Sequence, residues 1–155
     1  MSSVRRLAAA VLALASLLIA ACASTPEATP ERDALAKEFL THPAASTIYI
    51  YRSPFNHLDA DTVLYVDGRL IGATRPGAFF RLDVNPGRHI LHGNGIDIGE
   101  FELDTRPGQI YFVEDTVNGG HSQFRVVPES VGQQTVRACC ALLENWWPGQ
   151  RPFIR

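Results

Sequence analysis

The stretch Thr62-Val63-Leu64-Tyr65-Val66-Asp67-Gly68-Arg69-Leu70-Ile71-Gly72 decides the fold. Two short runs of β-branched, aromatic and aliphatic residues flank Asp67-Gly68. An Asp-Gly pair between such runs is a strong short-range hairpin signal, because both turn positions need positive φ. The chain is therefore an antiparallel β-former here, and the same texture extends outward on both sides.

Downstream, residues 78–84 alternate, with Phe80, Leu82 and Val84 on one face and Arg81 and Asp83 on the other. Asn85-Pro86-Gly87 supplies the next turn, and residues 89–92 return as a strand. Residues 98–105 place Ile98, Phe101 and Leu103 largely inward, with Gly99 leaving room for a bulge. Arg106-Pro107-Gly108 turns into residues 109–115, and Asn118-Gly119-Gly120 turns into residues 121–127, where Phe124 and Val126 share a face. Upstream, Ser46 to Arg52 is another strand. The spacing predicts an all-β fold, a small antiparallel β-sandwich of about 7–8 strands.

Several strands are apolar on both faces, as in Ile48 and Ile50 against Tyr49 and Tyr51. Something other than solvent must cover the second face of one sheet. Val136, Cys139, Cys140 and Leu143 recur at helical spacing, so residues 130–145 are expected to form a C-terminal amphipathic helix against the sandwich, stopped by Pro148-Gly149. Trp146-Trp147 and Phe153-Ile154 follow as an aromatic tail that either docks back or offers an interaction surface.

At the other end, Thr29-Pro30 can cap and start a short helix carrying Leu35 and Phe39 on one face, ended by His42-Pro43. Residues 23–30 precede it as a mobile, Pro-containing tether. Before them, Arg5-Arg6 leads an apolar run of about fifteen residues that closes on Ile19-Ala20-Ala21-Cys22, the layout of a bacterial lipoprotein signal peptide. The run is too short to span a bilayer comfortably. Cys22 is then the lipid-attachment residue, and Ala23 after it favours the outer membrane, facing the periplasm. The expected organisation is a signal peptide over 1–21, a lipid-anchored tether over 22–45, a sandwich over 46–128, and a helix with aromatic tail over 129–155.

The full chain has 155 residues, with 14 basic and 16 acidic side chains. Residues 1–21 hold two of the basic residues and none of the acidic ones, so the remainder carries a formal charge near −4. Nucleic acid is excluded as a partner on that balance. Electrostatic adhesion to anionic lipid is equally unmotivated. Twelve glycines and ten prolines fit many turns. With Cys22 acylated, only the neighbours Cys139 and Cys140 remain. They read foremost as small, partly buried apolar residues, with a disulfide or a metal ligand pair as alternatives.

No constellation of residues names a reaction. His89 and His92 stand three apart in a strand and point to opposite faces. Glu100 and Glu102 form the solvent side of an alternating strand. There is no Gly-x-Ser-x-Gly and no phosphate loop, since Gly93-Asn94-Gly95 opens no helix. Catalytic residues, bound metal and cofactors are all expected to be absent. His57 with Asp59, Asp61 or His121 is the arrangement that would suit a small-ligand or metal-binding alternative.

The segments Ile48-Tyr49-Ile50-Tyr51-Arg52, Leu64-Tyr65-Val66-Asp67-Gly68 with Ile71-Gly72, Gly77-Ala78-Phe79-Phe80, Asn85-Pro86-Gly87-Arg88-His89 and Pro107-Gly108-Gln109-Ile110-Tyr111-Phe112 come in an order that resembles a family of bacterial lipoproteins. These carry a domain of unknown function of the DUF2846 type and share the texture of PEGA-like extracytoplasmic modules. The resemblance spans about residues 46–128 and implies an Ig-like or PEGA-like sandwich on a lipid anchor. It implies no reaction. The expectation is a non-catalytic envelope lipoprotein that binds another envelope protein or a cell-wall component. Phe55, Asn56, His57, His121, Trp146 and Trp147 are its candidate interaction residues.

Overall fold

A computed structural model describes residues 25–55, 62–93, 100–119 and 121–145. The chain folds as two stacked β-sheets with two helices against one of them. Its elements are α1 (Pro30–Ala36), β1 (Ser46–Arg52), β2 (Thr62–Val66), β3 (Arg69–Thr74), β4 (Ala78–Val84), β5 (Gly87–Gly93), β6 (Phe101–Thr105), β7 (Ile110–Asn118), β8 (His121–Val127), α2 (Glu129–Cys139) and β9 (Ala141–Leu142). One sheet has five strands in the order β8-β7-β1-β4-β9, the other four in the order β3-β2-β5-β6. The all-β sandwich with a C-terminal helix is as the residue pattern predicts. Two pairings are parallel, β1 with β7 and β4 with β9, and neither carries a local turn signal.

The Asp67-Gly68 hairpin is in place, with φ of 52° and 72° at its two turn residues. Strands β2 and β3 pair antiparallel, with a register shift between Leu64 and Tyr65. Alternation then sorts the side chains into two apolar layers. Ile48, Ile50, Leu64, Val66, Ile71, Phe80, Leu82, Leu91 and Val113 fill the space between the sheets. Tyr49, Tyr51, Phe79 and Phe112 point the other way, into a second cluster with Ala36, Phe39, Val136 and Leu142. The two-faced strands thus receive the cover that their sequence demands. Both α1 and α2 supply it, and close approach makes it tight: a Cβ at Gly132 of α2 would lie 2.2 Å from the Phe112 ring.

Three expectations need correction. Helix α1 stops at Ala36 rather than near His42-Pro43, although Thr29 caps it as anticipated by accepting from Arg32 N–H. The Tyr49 hydroxyl donates to the Ala36 carbonyl at 2.6 Å, and Phe39 takes φ of 53°. That turn carries the Phe39 ring edge-on to Tyr49 and Phe112, at 5.2 and 5.5 Å. Burying the ring outweighs one more turn of short helix.

Helix α2 ends at Cys139 instead of running to residue 145, with Cys140 already extended at φ −118° and ψ 138°. Ala141 N–H donates to the Gly77 carbonyl at 3.0 Å and Leu143 N–H to the Phe79 carbonyl at 2.9 Å. Leu142 then joins the outer cluster and Leu143 the inner one, which a helix could not do. The adjacent cysteines straddle this junction and are joined to each other as a disulfide.

The tether is also shorter than expected. Thr25 is only 5% exposed, and its Oγ1 accepts from Ala73 N–H of β3 at 2.6 Å. A Cβ at Gly72 would meet that same oxygen and the Phe80 ring at 2.8 Å, so glycine makes room for the approach. Glu27 bridges antiparallel to Leu143. Ala28 N–H donates to the Leu142 carbonyl and Glu144 N–H to the Pro26 carbonyl, both at 2.8 Å. Ion pairs Glu27–Arg75 and Arg32–Glu144 flank the contact. Residues 25–28 therefore lace β3 of one sheet to β9 of the other.

Candidate functional site

Lacing covers only half of this edge. Strand β9 stands beside Ala78 and Phe79 alone, and from there to Val84 no strand among the described residues pairs with that side of β4. Because the Gly77 and Phe79 carbonyls point toward β9, the two-residue repeat turns the backbone groups of Arg81 and Asp83 to the same side. Strand β3 is the edge of its own sheet. Between the unlaced stretches lies a cleft of about 470 Å³, with Arg69 and Ile71 on one wall and Leu82, Asp83 and Val84 on the other. Val66, Asp67, His89, Asn85 and the segment from His42 to Ala45 complete it.

Its polar groups are held by the turns. Asp67 Oδ1 accepts from Ile90 N–H at 2.9 Å, and Asp67 Oδ2 lies 2.8 Å from His89 Nδ1. His89 Nε2 lies 2.8 Å from the Asn85 carbonyl oxygen. Both ring nitrogens thus face oxygen atoms. The turn residues Asp67 and Asn85, read in the sequence purely as chain reversers, converge on His89. Their spacing gives no hint of that meeting, which depends on β2 pairing with β5.

Asp83 borders the cleft through its backbone, while its side chain turns to the helix-covered face of β4 and is almost fully buried. It accepts from the Thr47 hydroxyl at 2.7 Å and from Arg81 Nη2 at 3.3 Å. Both side chains of that ion pair are nearly inaccessible, at 3% and 1%. Arg81 Nη2 also reaches the Leu40 carbonyl at 3.4 Å, while Nε and Nη1 are buried without a hydrogen-bond partner among the described residues. The cleft presents cationic surface from Arg69, anionic surface from Asp67 and apolar surface from Ile71 and Leu82 within one opening.

A second buried polar group lies at the opposite end of the sandwich, between the sheets. The Thr74 hydroxyl is 3.3 Å from Asp115 Oδ2 and 2.9 Å from the Thr62 hydroxyl, and Arg52 Nη1 donates to the Thr74 carbonyl at 3.2 Å. Burial pushes the Asp115 carboxyl up to about 6, against the opposing pull of the Arg52 guanidinium and of hydrogen bonds from Ser122 and Thr74. Asp115 Oδ1 has no partner among the described residues.

The residues singled out from sequence are not at the cleft. Phe55 is 87% exposed just past the end of β1. His121 is exposed at the start of β8, opposite Asn118. Strand directions put both at the end of the sandwich that holds Asp115, away from Asp67 and Asn85. Cys22, Asn56, His57, Asp59, Asp61, Trp146 and Trp147 lie outside the described residues. Among the described residues no three His, Cys, Asp or Glu side chains group as metal ligands, and no helix is long and apolar enough to cross a membrane.

Comparison with known proteins gives the chain a family and leaves the chemistry open. Residues 43–127 match the family model described as "Protein of unknown function (DUF2846)", and the chain belongs to that family. An "Uncharacterized protein" of Haemophilus influenzae is 31% identical over 107 residues, covering 68% of this chain and 64% of the relative. The chain thus spans a little under two thirds of that relative's length. No solved structure matches.

Proposed function

We propose that this chain is a non-catalytic, lipid-anchored protein of the cell envelope, and that its half-open sandwich edge binds an extended peptide. The peptide belongs to another envelope protein or to a cell-wall component. The observation that carries the reading is the cleft of about 470 Å³ between the unlaced stretches of β3 and β4, with the Arg81 and Asp83 backbone directed to it. An edge of this kind accepts an added strand through main-chain hydrogen bonds, and the adjoining hollow selects side chains. Arg69 on the near wall suits a carboxylate, and Asp67 beside it suits an amine. The Arg5-Arg6 and Ile19-Ala20-Ala21-Cys22 layout supports the envelope address and lipidation at Cys22.

Crosslinked capture from envelope preparations, together with co-sedimentation on purified cell-wall sacculi, tests this. The unaltered domain is expected to retain a defined partner or the sacculi, and Arg69→Glu to lose it. Equal retention by both proteins overturns the assignment to this cleft. The cleft volume also falls in the range of small-molecule sites, which favours a small polar ligand as the second reading. A thermal-shift screen of amino acids, short peptides and sugars separates the two.

A further inference from the structure

We propose that the Cys139–Cys140 disulfide is a redox-sensitive lock on the laced half of the β3–β9 edge, and that a dithiol reductant opens it. The two cysteines are joined where α2 ends and the chain turns into β9. Successive side chains of a helix leave its axis about 100° apart, whereas a disulfide needs Cβ atoms roughly 3.5–4.5 Å from each other. The bond therefore keeps Cys140 out of α2, and Cys140 is extended, at φ −118° and ψ 138°.

Without the bond, the chain after α2 has two ways to fold. Arg137 to Asn145 contains no β-branched residue, and Ala141, Leu142, Leu143 and Glu144 are good helix formers. Val136, Cys139, Cys140 and Leu143 would share one helical face, so local preference extends α2 where the fold has β9. The strand is held from outside. The Gly77 and Phe79 carbonyls accept from Ala141 and Leu143 N–H, and Asp33 Oδ1 accepts from Leu142 N–H at 2.8 Å. Pro26 and Ala28 bond to Glu144 and Leu142. Continuing α2 breaks these bonds, frees the strap and lengthens the unpaired side of β4 back to Ala78. The disulfide disfavours that open state by forbidding the helix, and reduction removes the bar. Cys139 is half-buried and Cys140 is 3% exposed, so the reductant's thiolate attacks Cys139 Sγ. Cys140 leaves as a thiolate and takes up a proton. The reductant's second thiol then closes on its own first sulfur and expels Cys139. Two electrons and two protons pass to the pair, and the dithiol becomes a disulfide.

Native-state hydrogen exchange on the full chain, before and after dithiothreitol, tests the lock with no partner present, so its outcome is independent of peptide binding. Reduction is scored by alkylation: the peptide carrying Cys139 and Cys140 should take up two alkyl groups after treatment and none before. The Ala28, Ala73, Leu143 and Glu144 amides are expected to exchange about tenfold faster once reduced, and those of the central strands β1 and β7 less than about twofold faster. Far-UV circular dichroism should gain roughly one turn of helix. Cys139→Ala/Cys140→Ala should exchange at the faster rate with or without dithiothreitol. A bond that resists dithiothreitol in the folded chain, equal exchange in the two forms, or faster exchange with no added helix overturns the lock.

Discussion

The two halves of the β3–β9 edge differ in one respect, namely whether a third piece of chain closes the gap between the sheets. In the upper half, Thr25–Ala28 bonds to Ala73 on one side and to Leu142 and Glu144 on the other, and the apolar interior is sealed. In the lower half, Arg69 and Ile71 face Leu82 and Asp83 across an unfilled cleft. The sheets are the same and their spacing is set by the same core. Sealing is thus a separable element, supplied by the ends of the chain. A sandwich can leave part of an edge open for recognition while stabilising the rest.

The largest break in this contrast should come from Leu143→Ala. Leu143 is 3% exposed and turned into the inner core from the laced half. Its truncation is expected to cost about 3 kcal/mol in chemical denaturation. An equal effect from Arg69→Ala would contradict the division of labour between the two halves.

Next in size is a dependence on pH. Asp115 sits beneath Thr74 of the laced half, and burial raises its carboxyl to about 6. The folded protein holds this proton more tightly than the unfolded chain does. Its contribution to stability is therefore complete below about pH 4 and is lost as the pH rises through about 6, on the order of 2 kcal/mol. The stability difference between the unaltered protein and Asp115→Asn should change with that slope across the window. A difference that is flat in pH would show that Asp115 titrates as an ordinary carboxylate.

Thr25→Val tests the strap itself. It keeps the volume but leaves the buried Ala73 N–H without its acceptor, which should cost about 1–2 kcal/mol. The smallest effect is expected from Arg69→Ala in the open half, within about 0.5 kcal/mol of the unaltered protein in stability, because the residue is exposed. The same change should weaken partner binding in the capture assay. A stability loss without a binding loss would reverse the assigned role.

Strands were legible wherever local chemistry decides them. Asp67-Gly68 announces its hairpin, and the alternation of Phe80, Leu82 and Val84 orients β4 correctly. The doubly apolar Ile48–Tyr51 run announces a covering layer, and α1 and α2 together provide it. What stayed hidden depends on long-range pairing. Nothing near Thr25 reveals that Ala73 waits for its hydroxyl, and nothing in the spacing of Cys140 to Leu143 distinguishes a helix from a strand that meets two cores. The cleft is illegible for the same reason: Asp67, Asp83 and His89 gather only because three strands end together. Exposure and loop position pointed instead to Phe55 and His121, at the other end.

The strap has a consequence in time. Its partners, Leu142 and Glu144, are made more than a hundred residues after it, so a chain emerging amino-end first cannot close this edge until residues 142–144 are out. Until then β3 and β4 present bare strand edges over an apolar interior, the condition in which chains pair with each other. The delay is reinforced by the parallel meeting of β1 with β7, which also joins distant parts of the sequence. For this fold, synthesis order makes β9 and the two residues after it the clasp, because the strap's other partner, Ala73, is made long before them.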